Sequence, residues 1–173
     1  MRRVLIIGPG GAGKSTLAGR LADATGLPVV HLDARYWRPG WDATPVEEWR
    51  SVVSTLVDAP EWIMDGNYGG TLDLRIPAAD TIIYLDWPRA LCIWGVVKRR
   101  LRPGTANPSR AAGCPERLSP EFLWWIWTYP TRRRPDILRR LKDVSDEKTV
   151  IVLRSRREMN ALVARCVRLG DLS

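Results

Sequence analysis

The chain has 173 residues, 45% of them hydrophobic, which suits one well-filled α/β domain and is short for two. A formal charge of +8 calls for an anionic partner: a nucleotide, another phosphorylated metabolite or nucleic acid. Three widely spaced cysteines argue against a disulfide framework and a C-x-x-C metal site, and no apolar run reaches bilayer length; the expectation is a cytoplasmic protein without a membrane partner.

The first apolar run, 3–7, predicts a strand, and Gly8-Pro9-Gly10-Gly11-Ala12-Gly13-Lys14-Ser15 follows it with the pattern G-x-x-x-x-G-K-[ST]. A strand, a glycine-rich turn and a helix start aim several backbone N–H groups at one spot, where the helix N-terminus adds about half a positive charge. Such a loop suits polyphosphate. Lys14 would reach the β- and γ-phosphates of ATP, and the Ser15 hydroxyl would sit on Mg²⁺. The residues in line to hold the triphosphate are Gly8, Gly10, Gly11, Ala12, Gly13, Lys14, Ser15 and Thr16. The same stretch contains G-x-G-x-x-G, the dinucleotide fingerprint, with Asp33 at about the distance a ribose contact needs. A dinucleotide site gives no reason for Lys-Ser after the last glycine, whereas a triphosphate site uses both.

A helix is expected over 14–25, stopped by Gly26, with Leu17, Leu21 and Ala24 facing inward. Further strands are predicted at 29–32, 62–65, 81–86 and 149–153, and the helical segments between them imply a parallel sheet with helices on both faces. Thr44 should cap a helix, with Pro45 in its first turn and Glu47 completing a capping box; Ser155 and Glu158 repeat the pattern for the last helix. Pro88 should start the helix carrying 91–100. The Pro-, Gly- and Arg-rich stretch 101–118 reads as a long loop or lid, and Ser119-Pro120-Glu121 opens an aromatic helix. In that helix Phe122, Trp125, Ile126 and Tyr129 have the spacing of a core-facing stripe, which outweighs a base-stacking platform. Basic residues crowd the middle of the chain, from Lys98, Arg99 and Arg100 to Arg132, Arg133 and Arg134, consistent with a flap over phosphates or a solvated surface.

In an open parallel sheet reactive groups gather outside the carboxyl ends of the strands, and three of these ends carry Asp33, Asp65 and Asp86. A carboxylate there can hold magnesium through water or take the proton of an attacking hydroxyl. Asp86, just before Pro88, reads best as a helix cap. Asp33 and Asp65 remain equal candidates for base and for metal partner of Ser15. His31, the single histidine, reads as a core or supporting residue. Trp37 and Trp41 flank Arg38-Pro39-Gly40 beyond a strand end, as substrate contacts or as local packing.

Five blocks carry a family resemblance: 8–17, His31-Leu32-Asp33-Ala34-Arg35-Tyr36-Trp37-Arg38-Pro39-Gly40-Trp41, Asp65-Gly66-Asn67-Tyr68, Arg75 with 79–86, and Gly113-Cys114-Pro115-Glu116. Their order, over nearly the whole chain, resembles the adenylate-kinase-like branch of the P-loop kinases, and most closely the bacterial DNA topology modulation group. The resemblance implies a single P-loop NTPase domain of α/β class: a five-stranded parallel sheet flanked by helices, an acceptor-binding region at about 33–60 and a basic helical lid at about 99–134. It implies ATP- and Mg²⁺-dependent phosphoryl transfer to a nucleotide or a small hydroxylated metabolite. Arg99 and Arg100 match lid arginines that would act with Lys14, Asp33 and Asp65 in catalysis. Asp33, Arg35, Trp37, Arg38, Asn67, Tyr68 and Arg75 form the expected acceptor set. Two positions depart from the family: Gly69 stands where an arginine usually grips the acceptor's phosphate, and Gly95 where another lid arginine is expected. Arg75 would then supply the missing contact. The family label and the basic charge also allow a nucleotide-regulated nucleic-acid-binding protein, although the sequence contains no readout motif.

Overall fold

The computed structural model describes residues 1–101, 111–115 and 119–170. Arg102, Arg110, Glu116 and Arg117, with most of the expected 101–118 loop, lie outside the described residues. In chain order the elements are β1 (Arg3–Ile7), α1 (Lys14–Thr25), β2 (Val29–His31), α2 (Leu32–Tyr36), β3 (Trp37–Arg38), β4 (Asp42–Ala43), α3 (Val46–Val57), β5 (Trp62–Asp65), a 3₁₀ turn (Gly69–Thr71) and α4 (Leu72–Ala78). There follow β6 (Thr81–Leu85), α5 (Arg89–Leu101), α6 (Pro120–Arg132), α7 (Arg134–Asp143), β7 (Thr149–Leu153) and α8 (Arg156–Gly170).

Five strands pair in parallel in the order β2-β5-β1-β6-β7, while β3 and β4 form a separate antiparallel hairpin. Central strand β1 is buried on both faces, so Val4, Leu5, Ile6 and Ile7 read as an unbroken apolar run. Their alternation still sorts them. Val4 and Ile6 pack with Leu17 and Leu21 of α1 and with Met159 and Val163 of α8. Leu5 and Ile7 pack on the other face with Trp49 and Val53 of α3 and with Ile137 and Leu141 of α7. The register sets Ile6 beside Asp65 and His31 beside Asp65, so the loops leaving β1, β2 and β5 emerge at one level of the sheet.

Helix α6 closes the middle of the fold. Ser119 caps it by accepting from the Phe122 N–H at 3.1 Å, Ile126 enters one core and Tyr129 the other, and Trp124 and Trp127 remain exposed. Residues from 120 onward, the second half of the lid expected over 99–134, pack through Ile126 and Tyr129 against both faces of the sheet.

Three local readings change. Thr44 does not cap α3: its hydroxyl donates to the Tyr36 carbonyl at 2.6 Å because the β3–β4 hairpin brings that oxygen alongside, and Pro45 takes the cap position with no side-chain bond. Asp86 is not a helix cap either; both its oxygens accept from Arg134, at 2.7 and 2.9 Å. In α1 the inward positions are Leu17, Ala18 and Leu21, with Ala24 half-buried. The box at Ser155 forms in part, as the Glu158 N–H donates to the Ser155 hydroxyl at 3.2 Å and Glu158 accepts from Arg154 N–H.

Candidate active site

The phosphate loop is shaped by a helix that presses on it from outside. Gly11 sits at φ 78, and a Cβ there would lie 2.0 Å from the Cys92 carbonyl oxygen of α5; a Cβ on Gly95 would lie 2.3 Å from the Gly11 carbonyl oxygen. Helix and loop thus meet backbone to backbone. This contact accounts for the missing arginine at 95, since a side chain cannot stand where the loop passes. Alanine at 95 would gain about 0.5–1 kcal/mol of helix propensity in isolation. The clash outweighs it, so Gly95→Ala is expected to destabilise the protein by about 1–3 kcal/mol, the range for overpacking. A thermal melt that stays at or above the wild-type midpoint would contradict the contact.

Helix α1 starts at Gly13, in left-handed conformation with φ 90 and no side-chain cap, so its first N–H groups remain available to an anion. Ala12 is buried beneath the loop and Thr16 is exposed beside it. Lys14 Nζ donates to the carbonyls of Gly8 and Pro9, each at 3.0 Å. Burial lowers its pKa from the usual lysine value, opposed by the carboxylates of Asp33 and Asp65, while Arg99 adds to the lowering. The charges of Asp33, Asp65 and Arg99 all act on the Lys14 ammonium. Arg100 is exposed at the same end of α5.

Asp65 is 4% exposed, and both of its oxygens are engaged. Ser15 Oγ donates to Oδ2 at 2.6 Å, and His31 Nδ1 lies 2.7 Å from Oδ1, so the ring carries its proton on that nitrogen. His31 is a support for Asp65. Asp33, on the first turn of α2, is exposed and accepts from the Tyr68 hydroxyl at 2.6 Å through Oδ1. Burial, with the Asp33 charge behind it, pushes the Tyr68 pKa far up, which keeps its hydroxyl a donor. Asn67 Oδ1 accepts from the Gly8 N–H at 3.0 Å, tying the loop after β5 to the start of the phosphate loop.

Arg75 is placed differently from the acceptor contact expected of it. It has no exposed surface, and its guanidinium donates to the carbonyls of Gly66 at 2.8 Å, Asn67 at 2.5 Å and Tyr68 at 2.8 Å, and to Thr71 Oγ1 at 3.2 Å. Burial lowers its pKa to about 9, which still leaves the guanidinium charged at neutral pH. The side chain holds together the backbone that carries Asn67 and Tyr68.

On the acceptor side Arg38 is paired by Glu48 through two bonds of 2.7 and 2.6 Å. Arg35 is exposed. Trp37 and Trp41 are half-buried and meet edge to face at 5.4 Å, and Tyr36 lies 4.6 Å from Tyr68. The segment 111–115 straps onto this hairpin. Gly40 N–H donates to the Gly113 carbonyl, Trp41 Nε1 to the Pro115 carbonyl at 3.0 Å, and Cys114 Sγ to the Arg38 carbonyl. The sequence marks Gly113-Cys114-Pro115 as a block but carries no periodic signal for its docking, and the Arg38–Glu48 pair is equally silent there.

Among the described residues no group of three or more His, Cys, Asp or Glu side chains could hold a metal. One hydroxyl beside one carboxylate, as in Ser15 and Asp65, fits magnesium, which keeps several waters and takes further oxygens from phosphates. No described helix is long and apolar enough to cross a membrane.

No protein-family model matches the sequence, and no curated protein matches it. Solved structures do. The chain is similar to an unliganded sugar kinase of Janibacter sp. HTCC2649, with a TM-score of 0.56 and 20% identity over 100% of this chain and 96% of that one. It is also similar to a gluconokinase of Sinorhizobium meliloti 1021, with a TM-score of 0.51 and 16% identity over 98% and 94% of the two chains. A deoxyadenosine kinase of M. mycoides with bound products gives 0.52 and 14% over 98% and 99%. The shared fold is that of the P-loop kinases, an α/β sheet of five parallel strands flanked by helices.

Proposed function

We propose that this P-loop kinase fold works as an ATP- and Mg²⁺-dependent phosphotransferase acting on a small hydroxylated acceptor. The observation that carries the reading is the phosphate loop with Lys14 folded onto its Gly8 and Pro9 carbonyls and Ser15 bonded to Asp65 beside it. The loop N–H groups and Lys14 hold the triphosphate, with Lys14 leaving the Gly8 and Pro9 carbonyls for phosphate oxygens. Ser15, aligned by Asp65, would hold Mg²⁺, which supplies charge neutralisation between the β- and γ-phosphates. Asp65 is suited to that side because both its oxygens are engaged by Ser15 and His31. Asp33 is suited to the acceptor side: it is exposed, and Tyr68 engages one of its oxygens. The acceptor hydroxyl oxygen attacks the γ-phosphorus, the bond to the β-phosphate oxygen breaks with its electron pair leaving on ADP, and the hydroxyl proton passes to Asp33.

Arg99 and Arg100, at the end of α5, are the described part of the lid we assign to this single domain, and they would meet charge growing on the transferred group. Residues 33–60 form the acceptor region. We assign this work to the cytoplasm, where ATP is at hand as donor. The closer likeness to the bacterial DNA topology modulation group rests on the five sequence blocks. Several of the basic residues open to a nucleic-acid reading are already paired within the chain, Arg134 with Asp86 and both Arg139 and Arg140 with Asp136.

The test is acceptor-dependent ADP release by Asp33→Asn and Asp65→Asn variants. Asp33→Asn should lower kcat by about a hundredfold or more, the scale of general base catalysis, with the KM for ATP nearly unchanged. Asp65→Asn should instead raise the magnesium concentration needed for half-maximal rate. Full kcat in Asp33→Asn would remove it as the base.

A further inference from the structure

Resting on the phosphotransfer reading above, we infer that the acceptor is a hydroxylated ring molecule without a phosphate group, a free sugar or nucleoside rather than a nucleotide. The acceptor side has four described arginines, at 35, 38, 50 and 75. Arg38 is held bidentately by Glu48, and Arg50 by Asp73 at 3.2 and 2.7 Å with a further bond to the Gly70 carbonyl. Arg75 is wholly buried on the carbonyls of 66–68. Arg35 stands two residues after Asp33 on the one turn of α2, and residues two apart on a helix do not share a face. Three of the four are thus engaged within the chain, and Arg35 lies off the face of α2 that carries Asp33.

The group proposed as base has the opposite character. Asp33 is an exposed carboxylate with one oxygen held by Tyr68, so a phosphate ester entering beside it meets like charge. Lys14 and Arg99, the cations nearby, belong to the donor triphosphate. What Asp33 offers an acceptor is acceptor lone pairs, suited to one or two neighbouring hydroxyl groups. Around it the rings of Tyr36, Trp37 and Tyr68 form an aromatic wall, and the Gly113–Pro115 backbone is strapped across the hairpin by Gly40 and Trp41. An apolar wall with a few placed polar groups is the usual make-up of a pocket for a compact neutral ring.

The experiment pairs each candidate ring with its own phosphate ester: free sugars against sugar phosphates, nucleosides against nucleoside monophosphates. Each is assayed with ATP and Mg²⁺ by ADP release and product mass. In the best pair, the unphosphorylated member should have the higher kcat/KM by at least about tenfold, the effect of bringing an unmatched phosphate near a carboxylate. Glu48→Gln releases Arg38, and since Glu48 and Arg38 are 52% and 45% exposed the fold does not depend on their pairing. That variant should narrow the preference several-fold by improving turnover of the ester. A wild-type enzyme that prefers the esters would overturn this inference while leaving phosphotransfer standing. ADP release that no acceptor in the panel stimulates would overturn both.

Discussion

Lys14→Ala is expected to lower phosphoryl transfer by about a thousandfold, the upper range for loss of one pre-placed group that stabilises developing charge. The fold should survive. Lys14 Nζ bonds two carbonyls of its own loop, and burial of its charge already works against those bonds. The melting temperature should therefore move by less than about 3 °C, corresponding to roughly 1 kcal/mol in a domain of this size. ADP release beside a thermal melt gives both readings from one preparation. A folded variant with wild-type turnover would sink the assignment of 8–15 as the triphosphate site.

Arg75→Met should behave in the opposite way, with stability lost first and activity lost as a result. Methionine matches the length of the arginine stem but leaves the Gly66, Asn67 and Tyr68 carbonyls without their donors. Removing one member of a buried polar set costs about 3–5 kcal/mol, and the midpoint of thermal unfolding should fall by about 10 °C. Because Asn67 holds Gly8 and Tyr68 holds Asp33, loosening this backbone reaches both halves of the site, and kcat should drop as well. Arg75→Lys keeps a cation and loses the fork, so it should restore part of the stability. A methionine variant as stable as wild type in a urea titration would show that the 66–68 backbone stands without its arginine.

The central strand, phosphate loop and first helix were legible because local signals agree there: an unbroken apolar run, a motif with fixed spacing and a glycine stop at Gly26. Asp65 could be found from the rule about strand ends. Arg75 could not be read correctly. Its letter is the same whether the side chain meets a ligand or turns inward, and what turns it inward is a set of carbonyls presented by a loop with Gly66 at φ 144 and Tyr68 at φ 30. The pairing of Arg38 was hidden for a related reason, since Glu48 lies ten residues away across a hairpin whose strands are two residues each. Thr44 shows competition between two local rules. Its hydroxyl suits a cap, but the Tyr36 carbonyl is nearer once the chain has folded back.

The seam between α5 and the phosphate loop bears on how this protein can diverge. Gly11 meets the Cys92 carbonyl, and Gly95 meets the Gly11 carbonyl, so any side chain added at either glycine collides with main chain. A change there must displace the helix as a body and reshape the nucleotide cradle with it. Four and five residues further along the same helix, Arg99 and Arg100 lie at the surface, where a change of side chain leaves that seam untouched. Substitution can thus alter the exposed end of the helix without altering the spacing of the cradle.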